Sequence, residues 1–187
     1  MATITIARQM GSLGCQIAND LAQQLGYRYV WRDLINQAAA LAGTPEMALA
    51  AIDELGLLDV CPSPSICKAY LKASQQIMED LHREGNVVIV WRAGQVVLGG
   101  YSDVISICMY ASKAVRAKRI AHRHQIPEEC ALAQIEESDR FRNKFLKDYY
   151  GQNWKSSELY HLVINTEKVA PSSAIRIITR LVSEIDR

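Results

Sequence analysis

Residues 3–25 read TITIARQMGSLGCQIANDLAQQL, and this stretch decides the fold. Thr3 to Ile6 is a β-branched run suited to a buried parallel strand. A turn containing Gly11 and Gly14 follows, with Ser12 or Gly14 as the start of a helix. Ile17, Ala18, Leu21, Ala22 and Leu25 recur at helical spacing, and Gly26 closes that helix. Strand, glycine turn, helix is the layout that aims backbone N–H groups and a helix N-terminus at a phosphate. The same residues serve equally well as a plain turn. The usual phosphate-loop pattern, G-x-x-x-x-G-K-[ST], is not met. Gly14 stands in the lysine's place with Cys15 beside it, the magnesium-holding hydroxyl is missing, and no lysine precedes Lys68.

Outward from this stretch, apolar strands alternate with helical patterns. Tyr27–Trp31, Val87–Trp91, Val104–Met109 and Leu159–Asn165 read as strands. Helices are expected over about 34–41, 46–55, 66–83, 113–124, 128–150 and 172–185, with a short one near 96–98. Asp33, Thr44 and Ser112 are the expected caps. The alternation requires crossovers, hence an α/β protein with a mainly parallel sheet covered on both faces. Ligands of such sheets bind beyond the C-terminal strand ends. Those ends present residues 8–14, Arg32–Asp33, Arg92–Gln95, Tyr110–Ser112 and Asn165–Thr166.

The 187 residues suit one domain, and a formal net charge of +1 provides no field for nucleic acid or a membrane surface. No apolar run approaches the ~20 residues of a membrane span, and no signal peptide is visible. Five cysteines at Cys15, Cys61, Cys67, Cys108 and Cys130 match no zinc spacing and read as free thiols in a reducing cytoplasm. Cys15, in the first helical turn, is either a thiol activated by the helix dipole or a small packed hydrophobe.

An arginine directly after a buried strand, as at Arg92, suits an anion or a salt bridge to Asp33. Arg116, Arg119 and Arg123 share one helical face. Arg140 and Arg142, two apart, point to different sides of a regular helix. Arg119, Arg140 and Arg142 suit phosphate. Arg116 and Arg123 suit surface pairing, and the plain alternative for the other two is Glu136 with Arg140 and Asp139 with Arg142.

ITIARQMGSLGCQIANDLAQQLGYRYVWRDLI, VIVWRAGQVVL, ESDRFRNKFLKDYYGQNW and YHLVINT together resemble the cytidylate-kinase-like family of the P-loop nucleoside monophosphate kinase superfamily. The resemblance spans almost the whole chain and implies a three-layer P-loop kinase-like fold with a five-stranded sheet and a helical lid. It implies an acceptor-binding segment at about 34–64 and a lid region at about 113–150. By position, Arg8, Gly11, Ser12, Gly14, Cys15, Asn165 and Thr166 would bind the nucleotide, and Arg92, Arg140 and Arg142 would act on the phosphates. An ATP-dependent phosphotransferase using Mg²⁺ is implied likewise, with a nucleoside monophosphate or other small molecule as acceptor. Leu13, Cys15, Trp31 and Trp91 depart from the family's residues. They leave a second reading, an impaired nucleotide- or anion-binding module that regulates a partner. Oligomeric state is not legible.

Overall fold

A computed structural model describes residues 2–43, 63–91 and 93–185. Five strands form one parallel sheet: β1 (Thr3–Arg8), β2 (Arg28–Val30), β3 (Val87–Val90), β4 (Val104–Tyr110) and β5 (Leu162–Asn165), in the order β2-β3-β1-β4-β5. The helices are α1 (Gly14–Leu25), α2 (Arg32–Leu41), α3 (Pro64–Glu84), α4 (Gly94–Val97), α5 (Lys113–His124), α6 (Glu128–Tyr150) and α7 (Pro171–Ile185). This is the expected three-layer α/β architecture.

β1 is central and buried along its whole length, paired with β3 from Thr3↔Val87 and with β4 from Thr3↔Val104. Side chains alternate between faces. Ile4 and Ile6 join Val88, Val90, Ile105, Ile107 and Met109 in one core layer, covered by α1 and α7. Val87, Ile89, Trp91, Val104 and Cys108 form the opposite layer with residues of α2, α3 and the C-terminal part of α6. A satellite core joins α5 to α6 through Ala117, Ile120, Ala121, Ala131 and Ile135, with Met10 packed against it.

Individual expectations fare differently. The helix over 46–55 and its Thr44 cap lie outside the described residues. The cap residue of α2 is Trp31, which makes no side-chain capping hydrogen bond, and Asp33 falls inside the first turn. Ser112 does cap α5, accepting from the Val115 N–H. The last strand starts at Leu162, because Ser157–Leu159 is a single 3-10 turn. Cys15, Cys108 and Cys130 are free, whereas Cys67 is disulfide-bonded. No helix among the described residues is long and apolar enough to cross a membrane.

Candidate functional site: the glycine loop at the end of the central strand

The loop leaves the sheet centre at Arg8 and enters α1 at Gly14. Gly11 has φ +78° and Leu13 has φ +62°, ψ 7°. Alternation of left-handed residues with ordinary ones curls a chain so that successive N–H groups face one concavity. A leucine holds that conformation at a cost of about 1–2 kcal/mol; its side chain, half-buried, lies against the α1–α7 core. The first N–H of the helical ladder is that of Ile17, donating to Leu13 O at 3.0 Å. The amides of Gly14, Cys15 and Gln16 precede it and form the positive end of the helix dipole.

Both loop glycines are required by close approach. A Cβ on Gly14 would lie 2.5 Å from Arg8 Cβ, and one on Gly11 would lie 2.9 Å from Arg116 O. Ser12 is fully buried, and its Oγ has no hydrogen-bond partner among the described residues. A buried hydroxyl facing no acceptor is uncommon and points to a missing polar group. Loop amides and this hydroxyl fit a phosphate.

The carbonyl side of the loop is held from outside. Arg119 donates to Gly11 O at 3.3 Å and to Thr166 O at 2.8 Å. The Thr166 hydroxyl donates to Ser12 O at 2.8 Å, and the Thr166 N–H donates to Tyr110 O. Burial pulls the Arg119 pKa below the usual arginine range, opposed by Glu167. Gln9, also buried, accepts from the Ala111 N–H through Oε1 at 3.1 Å. Arg8 is engaged within the fold: its guanidinium lies over the Trp31 ring, 5.6 Å from the centroid.

The arginines of α5 and α6 sort differently from expectation. Arg116 is 1% exposed and makes a two-pronged ion pair with Asp139, at 3.2 and 2.8 Å. This corrects the expected surface pairing of Arg116 and removes the plain alternative in which Asp139 pairs with Arg142. Arg140 is exposed and lies 3.6 Å from Glu137, while Glu136 pairs with Lys113. Arg142 is 5% exposed, over the Trp154 ring at 5.8 Å. Arg140 and Arg142 therefore diverge, as their spacing requires. Asn165 uses Oδ1 to accept from the Glu167 N–H, a local turn. Cys15 is half-buried in the first turn of α1. Arg92 lies outside the described residues.

Sequence reasoning missed Arg116, Asp139 and Gln9 as members of this neighbourhood. A charged pair 23 residues apart leaves no local signal. The departing tryptophans are part of the structure around the site. Trp91 is buried beside Tyr70, ring centroids 6.5 Å apart, with its Nε1 unpartnered.

The profile of the cytidylate kinase-like family matches residues 3–168. A cytidylate kinase of Ignicoccus hospitalis is 31% identical over 181 residues, covering 97% of this chain and 99% of that one. Among solved structures, an uncharacterized protein from Eubacterium ventriosum superimposes with a TM-score of 0.75 at 20% identity, over 98% of this chain and 99% of that one. Shikimate kinase from Acinetobacter baumannii, in complex with shikimate, gives 0.57 at 14% identity, over 98% of this chain and 94% of that one. The fold is thus that of the P-loop kinases, and the chain belongs to the cytidylate kinase-like family.

Proposed function

We propose that this nucleotide kinase transfers the γ-phosphoryl group of ATP to a nucleoside monophosphate in the cytoplasm. The observation that carries the reading is the glycine loop: left-handed Gly11 and Leu13, the leading amides of α1, and the unpartnered Ser12 hydroxyl. In phosphoryl transfer the protein's work is positioning and electrostatic stabilisation. The loop amides would hold the donor phosphates in place of the missing lysine, with Arg119 adding positive charge behind the loop. Residues 113–150 would serve as the lid region, with Arg140 and Arg142 reaching the phosphates once it closes. Residues 34–64 would hold the acceptor, with Arg92 meeting its phosphate. Among the described residues no group of three or more His, Cys, Asp or Glu could hold a metal. Mg²⁺ would therefore arrive on the nucleotide's own phosphates, as it does where one or two carboxylates and waters complete its shell.

The test is acceptor-dependent ATP turnover across the nucleoside monophosphates, with and without Mg²⁺. CMP is expected to head the series, as the name of the Ignicoccus relative suggests. Arg92→Ala should lower turnover about tenfold or more, since a charge-assisted bond contributes about 1.5–3 kcal/mol. ATP binding without acceptor should barely change. Nucleotide binding without turnover on any monophosphate would replace this reading by the regulatory binding module.

A further inference from the structure

Arg116 uses its whole guanidinium. Its Nε donates to Ala111 O at 3.1 Å, its Nη1 to Met10 O at 3.3 Å, and both terminal nitrogens to the Asp139 carboxylate. One side chain thus ties the end of β4, the glycine loop and α6 together. Two further contacts join the same parts. Gly11 is pressed on the Arg116 backbone, and Met10 packs into the small core between α5 and α6. Arg119, three residues on, holds the next loop carbonyl, Gly11 O.

The carbonyls of residues 10 and 11, held from α5, fix the orientation of the two peptide planes before Ser12, whose N–H closes a turn on Gln9 O at 3.1 Å. The loop lacks the lysine that would otherwise organise it, and Leu13 is strained in the left-handed region. Its conformation therefore depends on a partner outside it. A buried arginine with an unpaired charge is costly, so Arg116 holds its position only while Asp139 stays against it. Asp139 sits on α6, one residue before Arg140 and three before Arg142.

We infer that the Arg116–Asp139 pair is a positioning device for the phosphate loop, and that through it the α5–α6 hairpin and the loop order together. The loop is set by the hairpin, not by β1 and α1 alone. Nucleotide at the loop is then felt at Asp139, and displacement of α6 loosens the loop. That second half rests on the proposed function, because it takes the loop to be a nucleotide site.

Amide hydrogen exchange separates the two. Arg116→Met with Asp139→Leu replaces a buried pair by apolar side chains of similar length, a change that buried pairs often tolerate. Without any ligand, exchange at residues 11–16 should rise in this variant while the strands stay protected. With ADP as probe, affinity should fall about tenfold, as loss of charge-assisted support to the Met10 carbonyl implies. In the wild type, ADP should protect residues 136–142 as well as 11–16. If the variant does not fold, the wild-type measurement decides: protection confined to 11–16 overturns the inference. Unchanged loop exchange and unchanged ADP affinity in a folded variant overturn it equally. If the wild type binds no ADP, the proposed function fails, while loop exchange in the ligand-free variant still decides the positioning role.

Discussion

The glycine loop and the rim formed by the ends of β2 and β3 each carry bulky side chains next to the candidate site, with opposite structural consequences. In the loop, Leu13 and Cys15 leave the backbone on a curled course with left-handed residues at Gly11 and Leu13. At the rim, Trp31 and Trp91 are part of the wall: Trp31 covers Arg8, and Trp91 fills the core beside Tyr70. The loop is defined by its backbone, held by Arg116, Arg119 and Thr166 from elsewhere in the chain. The rim is defined by its side chains. A backbone site survives substitution of its own residues while its supports remain; a side-chain site changes with every substitution.

The largest effect expected from this contrast is at the rim. Trp91→Ala should cost about 3–5 kcal/mol of stability, the usual loss for a truncated core aromatic. ADP affinity should stay within about twofold, since distant sites that share no partner act independently. A large loss of ADP affinity in folded protein would break the comparison. Urea denaturation and equilibrium binding measure the two quantities.

Gly11→Ala strikes the loop's backbone directly. It combines the left-handed penalty of about 1–2 kcal/mol with overpacking against Arg116 of about 1–3 kcal/mol. Gly26 has a similar φ of +67°, and a methyl group placed on it would meet nothing within 4 Å, so Gly26→Ala should show only the first cost. Equal denaturation midpoints for the two variants would show that contact with Arg116 carries no weight.

Leu13→Gly should act in the other direction. It relieves a left-handed strain of about 1–2 kcal/mol and removes a half-buried side chain, so stability should change little. ADP should bind several-fold tighter as the backbone becomes open to close approach. Weaker binding would mean that the isobutyl group supports the cradle. A fluorescent ADP analogue in titration reads the difference.

The smallest effect concerns thiols. Burial pushes Cys108 up to about 11, against a partial opposing pull from Arg142. Below that value the group is neutral and a poor nucleophile. Alkylation followed by mass spectrometry should therefore label exposed Cys130 well before Cys108 at pH 8, with Cys108 gaining reactivity as pH rises toward 11. Cys15, half-buried at the start of α1, should label more slowly when ADP is present.

Much of the fold was legible because strands and helices are written in neighbouring residues. The VVIV run of β3 and the stripe Ile17, Ala18, Leu21, Ala22 of α1 each state their element within one window. Strand starts were less so: His161 looked like strand, but Ser157–Leu159 takes a 3-10 turn first, and β5 begins at Leu162. Within the candidate site, the glycines and their neighbours were legible as a motif. Arg8, Asp139 and Arg116 were not legible in their actual roles, since each depends on which ring or charge a distant segment brings near.

The amino-acid sequence alone therefore determined the alternation of strands and helices, the caps at Ser112 and Gly26, the divergence of Arg140 from Arg142, and the presence of a glycine turn after the first strand. Local hydrophobic period and backbone preference suffice for those. Tertiary packing settled the strand order β2-β3-β1-β4-β5, the choice of Asp139 as the partner of Arg116, and the covering of Arg8 by Trp31. Ion pairs and ring contacts form between whichever groups desolvation brings together. That choice is made by the assembled core, where an unpaired buried charge is costly, and not by spacing along the chain.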